Sequence, residues 1–269
     1  MNCKIVFSDI DGTFIRKDHS LSDKHATAVK KLLERKIPFI LVSARMPEAI
    51  YPITNSFGVK IPVISYSGAL VLTRDENVLF SKTIDENSAI EVLDSIKKSW
   101  GDRVSLNYYA GRKWYVENFD SRVRRESNTT TVIPKVTRFD SLPSAGILPH
   151  KILVMSEPPL GEEMEKILGE KFPQLNVVRS SDHLLEIMAR GVTKATGIES
   201  MLKHYGISKD DAIAFGDNFN DREMLKYVGF SVAMGNSPDE IKSLANEVTD
   251  SNNDDGIYNF LIRKGIISE

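Results

Sequence analysis

The segment Asp9-Ile10-Asp11-Gly12-Thr13 follows the apolar run Ile5-Val6-Phe7. Side chains alternate with period two on an extended backbone, so the two carboxylates fall on one side and can face one ligand. Adjacent carboxylates repel unless a cation or a shared proton compensates, and a hard, oxygen-preferring metal such as Mg²⁺ meets that need. Gly12 permits the close turn that follows. Ser43-Ala44-Arg45 comes directly after Phe39 to Val42 and offers a hydroxyl for a phosphate oxygen and a guanidinium for nearby charge. Lys194 opens an expected helix, where its ammonium and the positive helix end both favour an anion. Gly216-Asp217-Asn218-Phe219-Asn220-Asp221 follows Ala212 to Phe215 and supplies two more carboxylates and an amide, enough to complete an oxygen site for one Mg²⁺.

Taken singly, these segments have plainer readings. Asp-x-Asp after a strand is often a turn, Gly-Asp-x-x-Asn-Asp a loop and cap, Ser43 a cap and Lys194 a solvated cation. Their occurrence in order, each after a strand, points instead to one ligand site at the carboxyl ends of an open α/β sheet.

The elements that must carry these groups show in the apolar pattern. Strand-like Lys4 to Ser8, Pro38 to Ser43 and Val63 to Tyr66 alternate with helices near Ser22 to Lys36 and from Pro47, the rhythm of βαβ units on a parallel sheet. Pro52 lies deep in the second helix, so a kink or a late start is expected there. The last third resumes the rhythm: Thr193 is placed to cap a helix with the stripe Ile198, Met201, Leu202 and Tyr205, closed by Gly206. Ser237, Pro238 and Glu240 spell a capping box. Between them the texture changes, with helices at Glu86 to Trp100 and Gly161 to Phe172 and strands at Val104 to Tyr109, Lys113 to Val116, Lys151 to Met155 and Asn176 to Val178. The expected architecture is therefore α/β, a Rossmann-like parallel-sheet core formed by residues 1–82 and 188–269, with an inserted α+β domain over residues 83–187.

Bulk properties exclude other classes. The 269 residues are 41% hydrophobic and 27% charged with a formal charge of -2, which gives no broad electrostatic capture of nucleic acid or anionic membrane. The densest basic run, Arg122 to Arg125, reads as a solvated helix face. No apolar run approaches the ~20 residues of a membrane span, and the stretch after Met1 is too short for a signal peptide. A single cysteine, Cys3, fits a reducing compartment, and the cytoplasm is the expectation.

Together the motifs resemble the haloacid dehalogenase superfamily along almost the whole chain. DIDGT at Asp9 is similar to its first motif, Ser43 to its second, Lys194 to its third and GDNFND at Gly216 to its fourth. The insertion resembles the α/β cap of the Cof-type phosphatases, and Asp254-Asp255-Gly256-Ile257 their tail. The resemblance implies that Asp9 is the nucleophile and Asp11 the general acid and base. It implies Mg²⁺ held by Asp9, Asp217 and the backbone carbonyl of Asp11, with Asp221 holding the metal's waters. It further implies that Ser43 and Lys194 bind the phosphoryl group, with Gly12 and Asn220 nearby. Two departures stand out: Ser67-Gly68-Ala69 replaces Asn-Gly-Ala, and the residue after Lys194 is Ala195 where the family places glycine.

The activity so implied is a Mg²⁺-dependent phosphohydrolase acting on a small, sugar-phosphate-like ester through an aspartyl phosphate. Asp11, repelled by Asp9, is expected to hold its proton above the ordinary carboxylate range. Alternatives are a phosphomutase on the same core and a non-catalytic sensor of phosphorylated metabolites. Further substrate candidates are Arg45, Ser67, Gly68, Tyr109, Arg112 and His183, with Glu186 at a domain seam. The aromatic cluster Tyr108, Tyr109 and Trp114 beside Arg112 also reads as ordinary cross-strand packing.

Overall fold

The computed structural model describes residues 3–269. The chain divides into two compact units, one comprising the chain up to Arg45, Ile50–Phe80 and Thr193–Glu269, the other Met46–Ala49 and Ser81–Val192. In chain order the elements begin with β1 (Ile5–Asp9), α1 (Asp23–Glu34), β2 (Phe39–Val42), α2 (Pro47–Ser56), whose first turn belongs to the second unit, β3 (Val63–Ser65), β4 (Leu70–Leu72) and β5 (Val78–Ser81). There follow α3 (Glu86–Trp100), β6 (Ser105–Ala110), β7 (Lys113–Val116), α4 (Ser121–Thr130), β8 (Lys135–Val136), α5 (Ser141–Ser144), β9 (Lys151–Met155), α6 (Leu160–Lys171), β10 (Leu175–Ser181) and β11 (Leu184–Ala189). The first unit resumes with α7 (Lys194–Tyr205), β12 (Ala212–Gly216), α8 (Arg222–Tyr227), β13 (Phe230–Ala233), α9 (Asp239–Lys242), β14 (Glu247–Val248) and α10 (Gly256–Arg263).

The first unit is built on one sheet in the order β14-β13-β12-β1-β2-β3-β4-β5. Pairing is parallel from β14 to β3 and antiparallel between β3 and β4. Both faces are covered, which is why Ile5–Asp9, Phe39–Val42 and Ala212–Gly216 are buried throughout instead of alternating. Ile5, Phe7, Ile40, Val42 and Ala214 pack with Ile198, Met201 and Leu202 of α7 and Met224 and Leu225 of α8. On the other side Phe215 meets Phe260 of α10 edge to face at 5.3 Å. Each such side chain stabilises the unit by roughly 1.5–3 kcal/mol on burial. The chain leaves β1 toward β2 on one side, while β12 flanks β1 on the other, so the sheet's topological switch point lies between β1 and β12.

The second unit carries a six-stranded sheet, β10-β11-β9-β6-β7-β8, antiparallel except for the β7–β8 pair. Strand β11 was not foreseen as a strand. It pairs with β9 and β10 and runs on to Ala189, past the expected boundary at residue 187.

Helix α2 starts at Pro47 and continues through Pro52, so the late start does not occur. The capping box at Ser237 does not form: α9 is a four-residue helix whose cap position is Pro238, and the Ser237 hydroxyl has no hydrogen-bond partner among the described residues. The first helical bonds run from the Ile241 and Lys242 N–H groups to the Pro238 carbonyl, so the helix starts one residue later than expected and Ser237 falls outside it.

Candidate active site

At the switch point β1 delivers Asp9, 5% exposed, and the loop after β12 delivers Asp217. Lys194 arrives from the first turn of α7, fixed by a capping box in which the Thr193 hydroxyl accepts from the Thr196 N–H. Its ammonium donates to Asp9 Oδ1 at 2.5 Å and to Asp221 Oδ1 at 2.6 Å, with all three side chains buried. Asp221 Oδ2 accepts from the backbone N–H groups of Asp217 and Asn218 at 2.9 and 3.0 Å. Thr13 Oγ1 donates to Asp217 Oδ1 at 2.7 Å. Asp9 Oδ2 accepts no hydrogen bond among the described residues.

Backbone approach makes this convergence possible. Gly12 has φ of +83°, and a Cβ there would stand 2.3 Å from Asp217 Oδ2. A side chain at that position would displace the carboxylate. The start of α7 is pressed against the Tyr66–Gly68 turn, where a Cβ on Gly68 would lie 2.0 Å from the Thr193 carbonyl oxygen and one on Gly197 2.4 Å from Ile64 Cγ2. Gly197, one helical turn into α7, therefore has no room for a side chain.

Charge in the cluster is unbalanced. Oxygen atoms of Asp9, Asp217 and Asp221 lie within 4.8 Å of one another, against one ammonium. Burial raises the Asp9 carboxyl well above the ordinary range; Lys194 pulls it down, but Asp221, Asp217 and Asp11 push it further up. Asp217 is pushed up to about 6, chiefly by burial and against the lowering effect of the Thr13 hydrogen bond. Burial disfavours the charged form of Lys194, yet Asp221 and Asp9 outweigh it and raise its pKa, so the ammonium stays charged. A buried, all-oxygen, electron-rich donor set suits a hard divalent cation. The residues present therefore fit Mg²⁺, with Asp9 and Asp217 as the carboxylates open to it.

Asp11 differs from expectation. Its side chain is 46% exposed, and both its oxygens are taken by Arg45, Nε to Oδ2 at 2.8 Å and Nη2 to Oδ1 at 2.6 Å. A guanidinium, more than the neighbouring Asp9, defines its surroundings, and its carboxylate is outside the acidic cluster. Ser43 is buried, its Oγ accepting from the Arg45 N–H at 3.1 Å. Ser67 is also buried, held with φ of +52° while its N–H donates to the Ser43 carbonyl. A left-handed backbone suits asparagine better than serine, so the departure from Asn-Gly-Ala carries a local conformational cost. Asn220 is exposed and makes no side-chain hydrogen bond among the described residues.

The second-unit candidates are engaged within their own unit. Tyr109 stacks on Trp114 at 5.5 Å as a cross-strand pair, and Tyr108 sends its hydroxyl to the Ile147 carbonyl from the opposite face. Arg112 is ion-paired with Glu48. His183 sits on the β10–β11 turn beside the Ser156 carbonyl and Glu157. Glu186 is buried with Lys151, 3.5 Å away.

Three contributors were missed. Thr13 lay inside the first motif. Asn236, whose amide donates to the Gly12 carbonyl at 2.9 Å, follows β13 and was findable as a polar residue after one more core strand. His19, 3.8 Å from Asp11, carries no sequence signal, because only the turn from Arg16 to Ser20 brings it there.

A family profile described as haloacid dehalogenase-like hydrolase matches residues 6–261. The chain belongs to that family. A Haemophilus influenzae protein with a provisional phosphatase name is 34% identical over 265 residues, covering 98% of this chain and 99% of that one. The Bacillus subtilis phosphatase YwpJ is 26% identical, covering 96% and 98%. A crystal structure of a Thermotoga maritima protein superposes with a TM-score of 0.87 at 26% identity, covering 99% and 98%. The haloacid dehalogenase-like core thus accounts for the order of the motifs, and the chain is an enzyme of this hydrolase family. Among the described residues no helix is long and apolar enough to cross a membrane.

Proposed function

We propose that this enzyme is a Mg²⁺-dependent phosphatase that hydrolyses a small, sugar-phosphate-like monoester in the cytoplasm through an aspartyl phosphate on Asp9. The observation that carries the reading is the Lys194 ammonium bridging Asp9 and Asp221 beside Asp217 at the sheet's switch point. A buried cation that fixes one oxygen of a carboxylate and leaves the other without a hydrogen bond prepares that second oxygen to attack. Phosphatase names among the relatives support the reaction type.

Asp9 Oδ2 attacks phosphorus, the bond from phosphorus to the ester oxygen breaks, and Asp11 gives that oxygen a proton. Water then attacks the acyl phosphate while Asp11 takes its proton, releasing phosphate and restoring Asp9. Lys194 and the Ser43 hydroxyl face the phosphoryl oxygens, and Asp221, saturated by Lys194 and two N–H groups, fixes the lysine. Asp9, Asp217 and the Asp11 carbonyl, with Asp221 behind them, would hold Mg²⁺, which would neutralise phosphoryl charge when bound. We assign substrate choice to the second unit.

Asp9→Asn is expected to abolish phosphate release from p-nitrophenyl phosphate and from a panel of sugar phosphates, a loss of at least about 10³-fold. Turnover persisting in that variant refutes the assignment. Phosphate transferred to a sugar hydroxyl in preference to water would instead mark a mutase.

A further inference from the structure

Asp11, the proton carrier in the proposed reaction, has both its carboxylate oxygens forked by the Arg45 guanidinium. Arg45 is the anchored partner of the pair. Its N–H donates to Ser43 Oγ, its carbonyl accepts from the Tyr66 N–H at 3.1 Å, and its side chain is 16% exposed. Asp11 lies beyond the end of β1 with its side chain 46% exposed, and its other ion-pair neighbour among the described residues, His19, is 63% exposed at 3.8 Å. A half-exposed carboxylate has several rotamers open to it, whereas a planar guanidinium donating to both oxygens selects one. Because the same residue's N–H holds the Ser43 hydroxyl, that orientation is referenced to the hydroxyl that faces the phosphoryl group.

We infer, building on the phosphatase reading, that Arg45 is a positioning residue for proton transfer. It acts through Asp11, setting the direction from which the carboxyl meets the leaving oxygen, and not on the phosphoryl group itself. Removing it costs most where the leaving group needs a proton.

The test is single-turnover release of the leaving group, with enzyme in excess, so that only the first half-reaction is read. Two esters are compared: p-nitrophenyl phosphate, whose phenolate departs unprotonated, and the alkyl monoester that the wild type turns over fastest. Arg45→Ala is expected to slow the alkyl ester by about 10²-fold and p-nitrophenyl phosphate by less than about threefold. Arg45→Lys, which keeps the charge but loses the fork, falls between. In an Asp11→Asn background, adding Arg45→Ala changes neither rate by more than about twofold, because the partner it acts through is gone. Equal slowing of both esters, full activity in Arg45→Lys, or additive losses in the double variant overturn the inference. Should Arg45→Ala fail to fold, Arg45→Lys and the double variant built on it read the same cycle. A wild type inactive on both esters fails the phosphatase reading itself, a result separate from any ratio between esters.

Discussion

Polar groups are buried in both units, but under opposite constraints. In the first unit Asp9 and Asp221 share one ammonium beside Asp217, and burial raises the carboxyl pKa of Asp9 and of Asp217. In the second, His150 is buried and neutral: its Nδ1 accepts from the Gly111 N–H at 3.0 Å, so Nε2 carries the proton toward Ser81 Oγ at 2.9 Å. Burial pushes its pKa down to about 4. The first arrangement sets three carboxyl groups against one ammonium. The second is satisfied internally, as are Trp114, whose Nε1 donates to Asn107, and Tyr108. Charge imbalance is concentrated in the Asp9–Asp217–Asp221 cluster, whereas His150, Trp114 and Tyr108 of the second unit are hydrogen-bonded within it.

The contrast is broken most sharply at Lys194. Replacing it with Met leaves two buried carboxylates without their shared cation, and the stability measured by urea unfolding at pH 7 should fall by about 3–5 kcal/mol. Part of that loss should return as the pH is lowered and Asp9, whose burial favours its neutral form, takes up a proton. An unchanged midpoint would mean that the cluster is not held by the lysine.

A smaller effect lies in the pH dependence, where the two units have opposite signs. Asp217 has a folded pKa above its unfolded value of 3.8, so the folded state binds the extra proton and stability falls as pH rises from about 4 to about 6. His150 is depressed from 6.5 to about 4, so the unfolded state binds the extra proton and stability falls as pH drops across that window. Each effect is on the order of 2 to 3 kcal/mol at most. In EDTA, Asp217→Asn should gain on the wild type as pH rises from 4 to 6, and His150→Gln should gain as pH falls from 6.5 to 4. Mg²⁺, which favours the ionised carboxylates, should erase the first slope and leave the second. Two slopes of the same sign, or a His150 slope that responds to Mg²⁺, would dissolve the distinction.

The smallest effect is expected at His183. Its side chain is 49% exposed on a turn, so His183→Ala should shift the urea midpoint by an amount worth less than about 0.5 kcal/mol. A loss several times larger would show that this turn, too, depends on a buried interaction.

Much of this is written locally. Apolar runs fixed β1, β2 and β12 because strands buried on both faces tolerate little else. The helix beginning at Lys194 was legible from its threonine cap and its closing glycine. Asp9, Ser43, Lys194 and Asp217 stood out as candidates because each follows or opens such an element. Strand β11 was missed because Leu184–Ala189 places Glu186 among apolar residues, a pattern that decides nothing until β9 and β10 lie on either side. The Ser237 box had the right letters, but the helix starts one residue later.

Sequence by itself determined the kinds of group and the ends of the strands that carry them, since period-two alternation, caps and turn glycines act within a few residues. Tertiary structure alone decided the pairings: Lys194 between Asp9 and Asp221, Asn236 on Gly12, and Arg45 rather than Asp9 as the group that meets Asp11. Hydrogen bonds and charge interactions depend on distances between segments far apart in the chain, and those distances exist only once the sheet has closed its register and the glycines have let the backbones meet.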